Sequence, residues 1–187
     1  MEETPLVKGD IISGQTCISN KNMIHELEQK GYGEIEKEKL FLKQFETLYL
    51  LYAKRLILKN GNKQFDFNSF MSLSQKTNPE ILTKFLIYRD LRNRGYVVKD
   101  GFGFGSDFRV YERGHFGEKG AKFLIFGLNE GQQEKMGNLQ KKIEEITQMG
   151  KEPIIAVIER RGEIIYYKIN RMNFNENKAR LEESFQL

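Results

Sequence analysis

Asp107, Arg109 and Tyr111 stand at every second position of the stretch GFGFGSDFRVYERG, residues 101 to 114. Side chains alternate across a β-strand, so this spacing puts all three on one face and turns Phe108 and Val110 toward a core. Such a face is either part of a catalytic site or the solvated side of an edge strand. The preceding Gly101, Gly103 and Gly105 raise the question of a phosphate cradle. Dinucleotide and P-loop cradles need a helix that starts just after the glycines, and SDFRVY has the pattern of a strand. The glycines are therefore read as a tight bend that packs against something between two strands. A Mg²⁺-dependent nuclease would need Asp107 joined by a Glu-x-Lys on the next strand. The next strand, KFLIFG, has no carboxylate, so that chemistry is disfavoured.

The composition narrows the class. The chain has 187 residues, with 30 Lys plus Arg against 26 Asp plus Glu, a net charge of +4 and a pI near 9.0. That balance permits a polyanionic partner without requiring one. Cys17 is the single cysteine and His25 and His115 are the two histidines, so no internal disulfide or Cys/His zinc site is expected. No metal and no cofactor are expected. No apolar run approaches the roughly 18 residues of a membrane span, and the start MEETPLVKGD lacks the basic and apolar regions of a signal peptide. A soluble, cytoplasmic protein without a membrane partner is expected.

The elements that must position these residues fall into two groups. In the first, DIISGQTCIS (10–19) reads as strand, and NMIHELEQKG (22–31) as a short helix stopped by Gly31. LKQFETLYLLYAKRLIL (42–58) reads as a buried helix running into a strand that ends at the Asn-Gly turn of KNGNK. NPEILTKFLIYRDLRNRG (78–95) is predicted as a helix with Asn78 as N-cap, Pro79 at its first position and Gly95 beyond its end. Ile81, Leu82, Phe85, Leu86 and Leu91 give it an apolar stripe. From Tyr96 the pattern becomes strands: YVVK, DFRVY, KFLIFG, PIIAVIE and EIIYYKI, with an amphipathic helix near 133–149 before the last two. ERRGE (159–163) is the turn between the final strands, and NFNENKARLEESFQL is read as a polar terminal segment. The expected fold class is α/β (α+β): a small N-terminal α/β domain, 1–82, followed by a β-rich domain, 83–187, with a covering helix.

LTKFLIYRDLRNRGYVVKDGFGFGSDFRVYERG resembles the segment of the tRNA-splicing endonuclease family in which a helix ending YRDLRxRGY leads into GxxFGxDFxVY. KEPIIAVIERRGEIIYYKI resembles the closing strands of the same family. The similarity runs over residues 83–170 and is looser but collinear over the first 82. It implies a C-terminal nuclease-like mixed-sheet domain and assembly into a two-fold symmetric tetramer or its equivalent. It also implies metal-free cleavage of precursor tRNA at bulge-helix-bulge junctions, leaving a 2′,3′-cyclic phosphate and a 5′-hydroxyl. The attacking 2′-hydroxyl must lose a proton, the leaving 5′-oxygen must gain one, and the crowded phosphorane needs a fixed positive charge. The family fills these roles with tyrosine, histidine and lysine.

Carried onto this chain, the resemblance matches the tyrosine to Tyr111 and the lysine to Lys151. The family's histidine stands at the entry to the strand GAKFLIF, and that position is Gly120, or Ala121 if the gap falls one residue differently. His115 lies earlier, on the loop, and could substitute only if the loop folds back. Glu144 stands on the helix where catalytic members often carry a base-stacking arginine, and Gly150 replaces the arginine before the lysine. The resemblance thus implies a structural subunit that supports a catalytic paralogous subunit on precursor tRNA, as a two-plus-two hetero-oligomer. The alternative is an active endonuclease subunit that uses Tyr111, Lys151 and a relocated His115. A general RNA-binding module is a third reading, disfavoured because no aromatic and basic platform stands out. Arg109, Arg160 and Arg161 are candidates for contact with RNA or a partner. The near-continuous apolar character of the last strands exceeds what a solvated hairpin needs. A subunit interface is therefore expected at Ile164, Ile165, Tyr166 and Tyr167.

Overall fold

The strand-like run at 10–19 is split by a turn. Ser13 and Gly14 both take positive φ, 50° and 81°, the backbone of a two-residue hairpin. It joins β1 (Val7–Ile12) to β2 (Gln15–Ile18). In this computed structural model, which describes residues 6–101, 103, 105–129 and 136–170, two mixed sheets enclose packed helices. The predicted terminal segment, 173–187, lies outside the described residues.

α1 (Lys21–Gln29) starts where the Asn20 side chain accepts from the Met23 N–H, and it ends before Gly31 at φ 76°. β3 (Glu34–Glu36) and β4 (Lys39–Leu42) form a second hairpin, α2 (Gln44–Tyr52) follows, and β5 (Leu56–Asn60) turns at Gly61 into β6 (Lys63–Phe65). The first sheet has the order β3-β4-β2-β1-β5-β6, with β1 and β5 parallel.

α3 (Phe67–Thr77) and α4 (Ile81–Asn93) come next. The helix predicted from residue 78 begins three residues later, because Asn78 closes α3 and its side chain accepts from the Glu80 N–H at 3.3 Å. Of the predicted stripe, Ile81, Phe85 and Leu91 are buried but Leu82 is exposed, its place in the core taken by Ile87 and Tyr88.

The second sheet contains β7 (Val97–Asp100), β8 (Phe108–Tyr111), β9 (Phe123–Asn129), β10 (Glu152–Ile158) and β11 (Ile164–Lys168). Its order is β11-β10-β9-β8-β7, with β9 and β10 parallel through the crossover helix α5 (Met136–Gln148). α5 is the predicted covering helix: its fully buried Ile146 packs on Leu124, Phe126 and Ile155. α2 and α4 pack on each other, and Phe45 of α2 lies 4.9 Å from Tyr88 of α4 and 5.1 Å from Phe108 of β8, ring centre to ring centre. One apolar core therefore runs from Val7 to Ile158.

A polar latch fastens the residues after α1 to this core. The carboxylate of Glu46, 1% exposed, accepts from the backbone N–H of Gly33 at 2.9 Å and of Lys43 at 2.8 Å. Lys99 donates to the Gly33 carbonyl, and Arg92 donates to the Lys30 carbonyl at 3.0 Å while lying 4.1 Å over the Tyr32 ring.

Candidate functional site at one end of the C-terminal sheet

The glycine-rich stretch is a turn. A Cβ on Gly101 would lie 1.8 Å from the Ser106 carbonyl oxygen, and Gly103 and Gly105 both have φ near +70°. Only glycine lets the chain pass this close to itself and reverse. Asp107 is committed to the sheet: Oδ2 accepts from the Gly127 N–H at 2.8 Å and Oδ1 faces the Lys84 ammonium at 3.2 Å. Phe108 and Val110 point into the core as the alternation requires, and Arg109 and Tyr111 are half-buried on the opposite face.

Two registers bring the family-matched residues together. Val110 pairs with Phe123, and Phe123 pairs with Glu152, so Tyr111, Lys122 and Lys151 share one end of the sheet. The Tyr111 ring meets Phe116 edge-on at 5.0 Å. Gly150, at φ 69°, ends the turn after α5 by donating to the Thr147 carbonyl. A left-handed residue at that place favours glycine. Lys151 then donates from Nζ to the Ala121 carbonyl at 2.6 Å.

Gly120 stands directly opposite this ammonium. A Cβ built on it would lie 3.9 Å from Lys151 Nζ and meet nothing else within 4 Å. Its φ lies outside the left-handed region, so the backbone does not demand glycine. The space beside the Lys151 ammonium on the Gly120 side thus holds no side chain from position 120.

His115 sits on the loop between β8 and β9, its Nδ1 enclosed and 3.7 Å from a Glu118 carboxylate oxygen. The loop does turn back on the site, since Phe116 packs against Tyr111. Glu144 lies on α5 and accepts from Gln140 Nε2 at 3.2 Å. Arg160 and Arg161 are exposed in the β10–β11 turn, which Glu159 and Glu163 close at 2.9 Å. Seven residues of β10 separate that turn from Lys151, about 20 Å at the usual strand rise. The structure does not bring these arginines to the Tyr111 end.

Arg109 is unusual. Its Nε is enclosed and without a hydrogen bond, and the guanidinium makes no ion pair among the described residues. Its neighbour across the strand pair is Lys99. Burial lowers the Lys99 ammonium below its ordinary value, with Arg109 and Arg92 adding to the effect and Glu46 and Glu34 opposing it. Buried side-chain donors are ordinarily hydrogen-bonded, so the Arg109 Nε is an exception.

β11 is the last strand of its sheet. Ile164 and Tyr166 turn inward onto the core, and the Tyr166 hydroxyl donates to Asp90 at 2.7 Å. Burial and that carboxylate hold the Tyr166 phenol well above its ordinary value. Ile165 and Tyr167 point outward, 36% and 52% exposed. Of the four expected interface side chains, two are thus spoken for within the chain and two are offered.

The sequence missed one feature of this sheet end, the pair of Lys122 with Glu112 at 2.8 Å. Its only signal was the alternation that places Lys122 at the entry of β9. Among the described residues, no three His, Cys, Asp or Glu side chains converge as a metal site would require.

Two mixed sheets joined by helices, with a tyrosine and a lysine at one end of the second sheet, define a mixed α/β protein. Comparison with known families agrees. Residues 81–166 match the tRNA intron endonuclease, catalytic C-terminal domain, and residues 7–71 match the tRNA intron endonuclease, N-terminal domain. The chain is 31% identical to the tRNA-splicing endonuclease of Pyrococcus furiosus over 145 residues, 78% of this chain and 84% of that protein. It is 31% identical to that of Thermococcus onnurineus over 165 residues, 87% and 95% of the two chains. With that of Methanococcus maripaludis the identity is 32% over 153 residues, 81% and 86%. The chain belongs to the tRNA intron endonuclease family.

Proposed function

We propose that this chain is a structural subunit of a tRNA-splicing endonuclease, which positions a catalytic paralogue on precursor tRNA and does not itself cleave. One observation supports the reading: Lys151 faces Gly120, which with Ala121 is where the resemblance puts the family's histidine, and neither residue carries an acid-base side chain. Without that group the leaving 5′-oxygen departs unprotonated, and general acid catalysis is typically worth about 10² to 10⁴ in rate. Tyr111 and Lys151 are then relics whose packing outlasted their chemistry. Arg109, half-buried and unpartnered, receives an anionic group of the RNA or of a partner. No helix among the described residues is long and apolar enough to cross a membrane.

Assembly as a two-plus-two hetero-oligomer belongs to the same reading, as does the division into domains at residue 82. An outermost strand with an apolar face is a template for another chain. The exposed Ile165 and Tyr167 supply that face, and the open edge of β11 supplies main-chain hydrogen bonds.

A second reading has its own observation. His115 adjoins the residue that packs on Tyr111, so an active subunit with a relocated histidine is its natural rival. The test is intron excision from a bulge-helix-bulge precursor by the chain alone and with its paralogue. The structural reading expects cleavage only with the paralogue. Cleavage by the chain alone that His115→Ala abolishes would establish the rival.

A further inference from the structure

The face of the second sheet opposite Tyr111 holds a pocket of about 190 Å³ between the end of α4 and the strands. At about 30 Å³ per water molecule, that space admits one small ring system. Its floor is aliphatic, with Leu91, Ile125 and Ile154. Three aromatic rings wall it, those of Tyr96, Phe123 and Tyr166. Tyr96 and Phe123 meet edge-on at 6.5 Å.

Cations stand over the walls, although of the three only Arg94 lines the pocket itself. The Arg113 guanidinium lies 4.8 Å over Tyr96, Lys122 lies 5.4 Å over Phe123, and Arg94 lies 5.6 Å over Tyr166. Asp90 pairs with Arg94 and Glu112 pairs with Lys122, both at 2.8 Å. Arg94 and Lys122 are thus paired, Lys122 feeling Glu152 as well, and among the described residues Arg113 has no ion pair. Aromatic walls beneath an unpaired cation are what a base with its phosphate requires. An aliphatic side chain would use the walls and leave the charge unanswered. One wall of the pocket, Phe123, stands at the sheet end that carries Tyr111 and Lys151, since it pairs with both Val110 and Glu152.

We infer that this pocket takes an unstacked nucleobase of the bound RNA, held against Tyr96, Phe123 and Tyr166, with the adjoining phosphate at Arg113. The inference rests on the RNA-binding reading given above. Of the two hydroxyls in its wall, that of Tyr166 is already donated to Asp90. Stacking against the three rings should favour the larger purines.

The test is methyl NMR on the full chain labelled at the isoleucine δ1 positions, where Ile125 and Ile154 report from inside the pocket. AMP should shift both resonances, UMP should shift them more weakly, and ribose 5-phosphate should leave them in place. Ile154→Phe fills the space and should weaken AMP binding by roughly tenfold or more, as loss of base stacking does. Arg113→Ala, a surface change that keeps the fold, should weaken AMP binding while leaving the pocket open.

A bulge-helix-bulge RNA separates two failures. If it shifts resonances elsewhere but not Ile125 or Ile154, the pocket inference falls and RNA binding stands. If it shifts nothing, the RNA-binding reading falls as well. If the catalytic paralogue without RNA shifts the two methyls and AMP does not, the pocket is a protein contact and the inference is overturned.

Discussion

If the chain is the structural subunit proposed above, Gly120→His should turn it into a cleaving one. The position is ready for the change: a Cβ there lies 3.9 Å from Lys151 Nζ, no other heavy atom stands within 4 Å, and φ is not left-handed. Replacing glycine at such a position also restricts the unfolded chain, so the variant should fold at least as stably, by about 0.4 to 1 kcal/mol. A general acid is worth about 10² to 10⁴ in rate, or about 3 to 5 kcal/mol of barrier. The assay is single-turnover cleavage of an end-labelled bulge-helix-bulge RNA, with products checked for a 2′,3′-cyclic phosphate and a 5′-hydroxyl. The gain should lie within that range. A lysine so close depresses the new imidazole below its ordinary value of about 6.5. The gained rate should accordingly fall as pH rises through that lowered value. A variant that folds and binds RNA yet cleaves no faster than the parent would show that Tyr111 and Lys151 are not poised, and that the missing histidine is not the cause of silence.

Three further outcomes follow from the packing. Gly127→Ala should lower the melting temperature, because its Cβ would lie 2.6 Å from Ile87 Cδ1 and 3.4 Å from Asp107 Oδ2. Overpacking of about 1 to 3 kcal/mol corresponds to a shift of roughly 2 to 12 °C in a chain of this size, measurable by circular dichroism. Glu46→Gln sets an amide N–H against one of two backbone N–H groups and should cost about 1 to 3 kcal/mol in denaturant unfolding. Burial raises the Glu46 carboxyl above its ordinary 4.5, against the backbone donors of Lys43 and Gly33 that lower it. The folded state thus holds a proton that the unfolded chain releases, and its stabilising effect is lost as pH rises through the raised value; the Gln variant should lack that slope. Ile165→Asp should break the assembly seen by native mass spectrometry while the chain stays folded, since a charge buried without a partner in an interface costs several kcal/mol. A folded Ile165→Asp chain that assembles normally would place the interface elsewhere.

The second half of the chain was more legible than the first, for physical reasons. Its strands are apolar runs bounded by glycines, so YVVK, DFRVY, KFLIFG, PIIAVIE and EIIYYKI all became strands. α3 was overlooked although Asp66 and Ser69 cap each other reciprocally and Phe67, Phe70 and Met71 recur at helical spacing. A serine in place of the usual glutamate blurs that signature. The β3–β4 hairpin left almost no trace. Its turn residues, Lys37 and Glu38, take φ of 47° and 64° without being asparagine or glycine, and its strands are short and charge-rich. The site was legible as residue types, because alternation places Tyr111 and its neighbours. It was not legible as contacts, because the ties of Asp107 to Lys84 and Gly127, and of Lys151 to the Ala121 carbonyl, are set by tertiary packing.

The most direct test is intron excision by the complex reconstituted with the catalytic paralogue, in which this chain carries Tyr111→Phe or Lys151→Ala. With assembly confirmed by gel filtration, the structural-subunit account predicts single-turnover rates nearly equal to those of the unaltered complex. A loss of roughly a hundredfold or more, the scale of removing an acid-base group, would contradict it and show that this chain contributes a working active site.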